Sequence, residues 1–210
     1  GEPRALIAMV TVAGLIFTVT GVIAAIRAPD NRTGAQMLAV GLLWSLGALQ
    51  LASNSLLFTL GYVLGGVAFV AFAHLILSYP GGRLRPGDEW IVWAVLALVT
   101  LGPLLVSFVD PTPVRGCSDC PESAFLVSDR PALAQTANIA LALGAAALSA
   151  FVFLRLVRRY QEATPPLRRV IGPVYLFTLV ALVGLVLSSL VGTIDAEALE
   201  DSATTLREAA

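Results

Sequence analysis

Residues 56–79 read LLFTLGYVLGGVAFVAFAHLILSY, an apolar run with one histidine and no arginine, aspartate or glutamate. That is more than the ~20 residues a helix needs to cross a hydrocarbon core of ~30 Å. A stretch of this kind belongs in lipid. The same pattern recurs on either side of it, and the expected helices cover about 5–26, 35–52, 56–79, 90–109, 132–156 and 165–193. Polar and proline-bearing segments separate them: Arg27-Ala28-Pro29-Asp30-Asn31, Ser53-Asn54-Ser55, Pro80-Gly81-Gly82, Asp110-Pro111-Thr112-Pro113 and Thr164-Pro165-Pro166. Paired Gly and Pro residues punctuate helices in this way. The first run is too long for the core of a signal peptide, and no small-x-small cleavage site follows it, so it reads as a retained helix. The expectation is one all-α domain over 1–210, a polytopic membrane bundle with six transmembrane helices and the loop 110–131 as its longest connection.

Composition agrees. Hydrophobic residues make up 57% and charged residues 13% of the chain, against about 25% charged in soluble domains. All 13 basic residues are arginine, a coding bias of GC-rich genomes more than a chemical signal. A net charge of −1 leaves no basic footprint for nucleic acid. One histidine and two cysteines are poor ingredients for a multi-ligand metal site. Phosphate-cradling, dinucleotide and nucleophile-elbow motifs are absent. No paired carboxylates sit in the apolar runs, which argues against an ion-coupled transporter. No catalytic, cofactor-binding or metal-ligating residue is expected in this stretch.

Arginine placement sets the expected orientation, because cytoplasmic loops collect positive charge. With the N-terminus outside, Arg27, Arg32, Arg83, Arg85, Arg155, Arg158, Arg159, Arg168 and Arg169 fall inside, and only Arg4, Arg115, Arg130 and Arg207 outside. Asp30, Asp88, Glu89 and Glu162 are then the inner acids, the remainder lying outside. Thr205 and Glu208 match a capping box, a device that opens a helix. A seventh, truncated spanning helix is therefore expected after residue 210.

Several side chains are candidates for chemistry. Cys117 and Cys120, close together in the outer loop, favour a disulfide in an oxidising compartment. A redox-active CxxC or half of a zinc site are the alternatives, though no histidine or second CxxC stands near. His74, inside an apolar run, is either a neutral imidazole bonded to a neighbouring helix or a proton- or ligand-sensing group, since ionisable groups in lipid are costly. Arg83 would anchor the inner end of the third helix. Gly61 and Gly65 form a GxxxG that suits close helix packing, within the bundle or between copies. Asn138, with Gln50, Ser188 and Ser189, supplies polar groups at depth for bonds between helices.

Three segments resemble a family. Arg27-Ala28-Pro29-Asp30-Asn31-Arg32-Thr33-Gly34, running into Ala35-Gln36-Met37-Leu38, is similar to the R-x-P-x-N-x-x-G-W-L-L entry to the second helix of actinobacterial-type multi-helix sensor histidine kinases, with Ala35 in place of the tryptophan. His74 through Leu84 resembles their H-L-x-L-x-(F/Y)-P-x-G-R-L segment, and Cys117 to Pro121 with Asp129-Arg130-Pro131 resembles their outer-loop C-x-x-C-P stretch. The resemblance implies the membrane sensor region of a two-component system in a bacterial plasma membrane. It also implies a homodimer, kinase domains downstream that use ATP and Mg, and a response regulator as partner. A membrane thiol-redox protein using Cys117 and Cys120, or a small transporter, are the rival readings.

Overall fold

The computed structural model describes residues 2–114, 120–180 and 183–184, with residues 2–10 described by their backbone. Every regular element among them is helical. In chain order these are α1 (Glu2–Arg27), α2 (Thr33–Trp44) continuing as a 3₁₀ segment (Ser45–Leu51), α3 (Ser55–Leu64), α4 (Val67–Ser78), α5 (Glu89–Ser107) and α6 (Pro131–Glu162), followed by α7 over 165–180. Among the described residues, four helical runs are long and apolar enough to cross a membrane: Thr33–Leu51, Ser55–Ser78, Glu89–Ser107 and Pro131–Glu162. Thr11–Arg27 is a shorter apolar one. The expected capping box at Thr205 and Glu208 lies outside the described residues.

Three expected helices are drawn differently. The run 56–79 is interrupted at Gly65 and Gly66, where α3 gives way to α4, yet both glycines keep helical backbone angles (φ −57° and −73°) and Ser55–Ser78 remains one apolar run of 24 residues. There α5 presses against the chain, and a Cβ on Gly66 would stand 2.8 Å from Val99 Cβ and 2.9 Å from its carbonyl oxygen. The run 35–52 tightens into a 3₁₀ segment over its second half. The helix foreseen over 132–156 continues through its arginines to Glu162. The hinge at Ser53-Asn54-Ser55 is a cap: Asn54 Oδ1 accepts from Leu56 N at 3.0 Å and Leu57 N at 3.2 Å, satisfying two donors that a helix start leaves open.

The chain divides into two compact units, Gly1–Asn138 and Ile139–Ala210. In the first, α1 and α2 pack on small residues. A Cβ on Gly21 would lie 2.5 Å from Leu38 N, one on Gly34 would strike the backbone of Ala25, and one on Gly41 would strike Thr18. The opposite stripe of α1 (Val12, Leu15, Ile16, Val19, Val22, Ile23 and Ile26) is exposed. Large apolar side chains outside and small ones between helices is the arrangement lipid favours, since hydrocarbon removes the drive to bury leucine and leaves close packing to hold helices together. Helix α4 joins this layer through edge-to-face rings, Phe17 with Phe72 at 6.0 Å and Trp44 with Phe69 at 5.8 Å. Hydroxyls within the spans bond their own helix four residues back, as Thr18 does to Gly14 O and Thr100 to Leu96 O. In a low-dielectric surround that removes an otherwise unsatisfied donor.

Candidate functional site

The polar groups of the first unit gather at its two ends. At one, the turn before α2 meets the turn after α4. Asn31 Oδ1 accepts from Thr33 N at 3.0 Å and Thr33 Oγ1 at 2.8 Å, closing a local turn. Asn31 Nδ2 then donates to the Pro80 carbonyl at 3.4 Å, and Thr33 Oγ1 shares its one proton with that same carbonyl at 3.3 Å. The Tyr79–Pro80 bond is cis. Gly82 has φ +69°, and a Cβ there would stand 2.9 Å from Arg32 Cβ. Both the left-handed conformation and the approach of Arg32 therefore require glycine.

One turn further in, Gln36 binds three groups of the α4 end at once. Its Nε2 donates to the Gly82 carbonyl at 3.2 Å and faces His74 Nδ1 at 3.0 Å, while Ser78 Oγ donates to its Oε1 at 3.0 Å. A backbone carbonyl can only accept, so the amide nitrogen must face Gly82. That nitrogen also faces the imidazole, hence His74 Nδ1 accepts and the ring proton sits on Nε2. Ser78 is buried and shares its proton with Leu75 O at 3.2 Å.

At the other end, the loop 120–130 is held against the tips of α3 and α5. The buried Ser123 donates from Oγ to Ser107 O at 2.7 Å, and Ala124 N donates to Thr59 Oγ1 at 2.8 Å. Val127 N and Ser128 N both donate to Phe108 O, at 2.9 and 3.2 Å, and Arg130 N to Val109 O at 2.9 Å. The rings of Phe108 and Phe125 meet at a tilt of 43°, 6.3 Å between centres. Backbone bonds at the helix tips give this loop a defined seat.

His74 therefore lies in the α2–α4 junction. Arg83 is exposed just beyond it, with no bond to another described residue. Asn138 is half-buried on α6 and makes none among the described residues. Gly61 and Gly65 face the 3₁₀ segment: a Cβ on Gly61 would stand 2.6 Å from the Leu49 carbonyl carbon, and one on Gly65 would stand 2.9 Å from Gln50 Nε2. Gln50 Nε2 itself donates to Gly61 O at 3.2 Å. Cys117 lies outside the described residues, and with it the expected Cys117–Cys120 pairing. Gln36, Ser78, Thr59, Ser107 and Ser123 are the bonding groups that sequence reasoning did not single out. A glutamine one turn inside an apolar span was the available signal for the first. Among the described residues no three His, Cys, Asp or Glu side chains converge as a metal site would require.

Searches for relatives give no family by which to identify the chain: no family model, no curated protein and no solved structure matches it.

Proposed function

We propose that this chain is the membrane sensor region of a bacterial two-component sensor histidine kinase. It would form a six-helix bundle with its N-terminus outside, continuing into a seventh helix and a cytoplasmic, dimeric, ATP-using kinase that phosphorylates a response regulator. The supporting observation is that the family-like segments 27–38 and 74–84, far apart in sequence, are bonded to each other through Gln36, His74, Ser78 and Gly82. In the proposed mechanism this junction is the element whose two arrangements the signal selects. Side-chain bonds between membrane helices average about 0.6 kcal/mol each, so opening the whole junction costs about 3 kcal/mol. Allosteric couplings typically run to 1–3 kcal/mol, so a ligand or a change in the bilayer has enough energy to shift the population. The seated outer loop is the surface that would meet the stimulus.

The experiment uses the full-length protein in inverted membrane vesicles with labelled ATP. It should autophosphorylate on histidine, while residues 1–210 alone should bind no ATP. A downstream sequence without an ATP-binding kinase signature would end the proposal.

Topology is tested separately. Arg27, Arg32, Arg83 and Arg85 flank the two turns that meet at the α2–α4 junction, which supports placing that end inside. In intact cells, with Cys117 and Cys120 replaced, a cysteine at Asp30 or Pro86 should resist a membrane-impermeant thiol reagent and one at Glu122 should react. The reverse pattern would invert the orientation. In the unaltered protein, Cys117 and Cys120 should take up alkylating reagent only after reduction, as a disulfide requires.

A further inference from the structure

Within the second unit, α6 and α7 enclose a groove of about 370 Å³. Its walls are Leu156, Val157, Tyr160, Gly172, Tyr175, Leu176 and Leu179. Gly172 keeps it open: a Cβ there would meet only Tyr160 Cε2, at 3.6 Å, so a longer side chain would grow into the space. The groove is apolar along its length and changes character at the Tyr160 end. There the Arg168 guanidinium lies 5.6 Å from the Tyr160 ring centre. Its Nε and Nη2 are committed to the carbonyls of Ala163 and Gln161, leaving Nη1. Arg169 is exposed three residues before Gly172 and so shares its helix face. Across residues 155–172 there are five arginines and a single acid, Glu162.

We infer that this groove is a binding site for one anionic phospholipid, an acyl chain lying along Leu156, Gly172 and Leu176 and the phosphate held at Arg168 and Arg169. Charge decides the occupant. A second copy of the chain docked symmetrically here would bring the arginines against themselves. A soluble acidic peptide would match the arginines but not the apolar walls. A lipid satisfies both, and basic pockets between spanning helices bind anionic headgroups for this reason. The site depends on the chain being in a membrane, and not on the kinase reading.

The test titrates the full-length protein, extracted in neutral detergent, with phosphatidylglycerol, phosphatidylcholine or inorganic phosphate, and counts bound lipid by native mass spectrometry. Phosphatidylglycerol should be retained about tenfold more strongly than phosphatidylcholine, with inorganic phosphate unable to displace it. An arginine near an anionic headgroup contributes roughly 1 kcal/mol, so Arg169→Gln should weaken phosphatidylglycerol about fivefold and phosphatidylcholine, whose choline cation already offsets its phosphate, less. Gly172→Leu should weaken both lipids. Equal retention of the two lipids would overturn the inference, as would phosphatidylglycerol binding indifferent to Arg169→Gln, a variant whose exposed position does not endanger folding. Loss of a dimer on Gly172→Leu with lipid binding intact would give the groove to a second copy instead.

Discussion

Gly34→Leu is expected to separate α1 from α2 and to cost about 3 kcal/mol, the upper end of what overpacking a close contact does. The obstacle is backbone: a Cβ at Gly34 would stand 2.8 Å from Ala25 Cα and 2.9 Å from the Ala24 carbonyl carbon. A side chain can turn away, but a helix backbone cannot, so the whole helix must retreat. Hydrophobic gain offsets little of this, because leucine leaving lipid for a helix interface exchanges one apolar surround for another. Gly47→Ala is the control, since a Cβ at Gly47 would approach only Gly65 Cα, at 4.0 Å. Refolding from SDS, followed by crosslinking of engineered cysteines across α1 and α2, measures the difference. Wild-type stability in Gly34→Leu, or equal loss in Gly47→Ala, would refute the account of the interface.

Gln36→Leu is expected to destabilise the α2–α4 junction by about 2 kcal/mol. It removes the partners of Gly82 O, His74 Nδ1 and Ser78 Oγ together, the last of these a buried hydroxyl. A buried polar group left without a partner costs about 1–3 kcal/mol, and a shared hydroxyl such as Ser78, still bonded to Leu75 O, costs less. The sharper test is a double-mutant cycle with His74→Ala. If the two side chains act as one unit, the second substitution adds little to the first, and the coupling should reach at least about 0.5 kcal/mol. Strict additivity would mean the amide and the imidazole are mere neighbours. If the chain is the kinase sensor region proposed above, the same variants in the full-length protein should shift basal phosphorylation with no change at the ATP site. A merely structural contact would lower stability without altering the ratio of signalling states.

Local features of the chain were legible from its residues. Apolar length marks Ser55–Ser78 and Glu89–Ser107 as runs long enough to cross a membrane, and Asn54 between two serines marks a break, because hydropathy and capping act over a few neighbouring residues. The interruption at Gly65 and Gly66 was not legible. Two glycines in an apolar run read as unbroken helix, and only the approach of Val99 from α5 shows why no side chain fits at Gly66.

The sequence by itself determined that the chain is helical and which runs suit a bilayer, since each run carries that property alone. Only the tertiary structure decided which faces meet. Gly21 against Leu38, Gly34 against Ala25, and Gln36 against His74 join residues on different helices. In lipid nearly every face of such a helix is apolar, so hydropathy does not distinguish the inward face from the outward one. Close backbone approach and the few bonds that avoid an unsatisfied polar group make that choice, and both depend on the partner helix as much as on the residue itself.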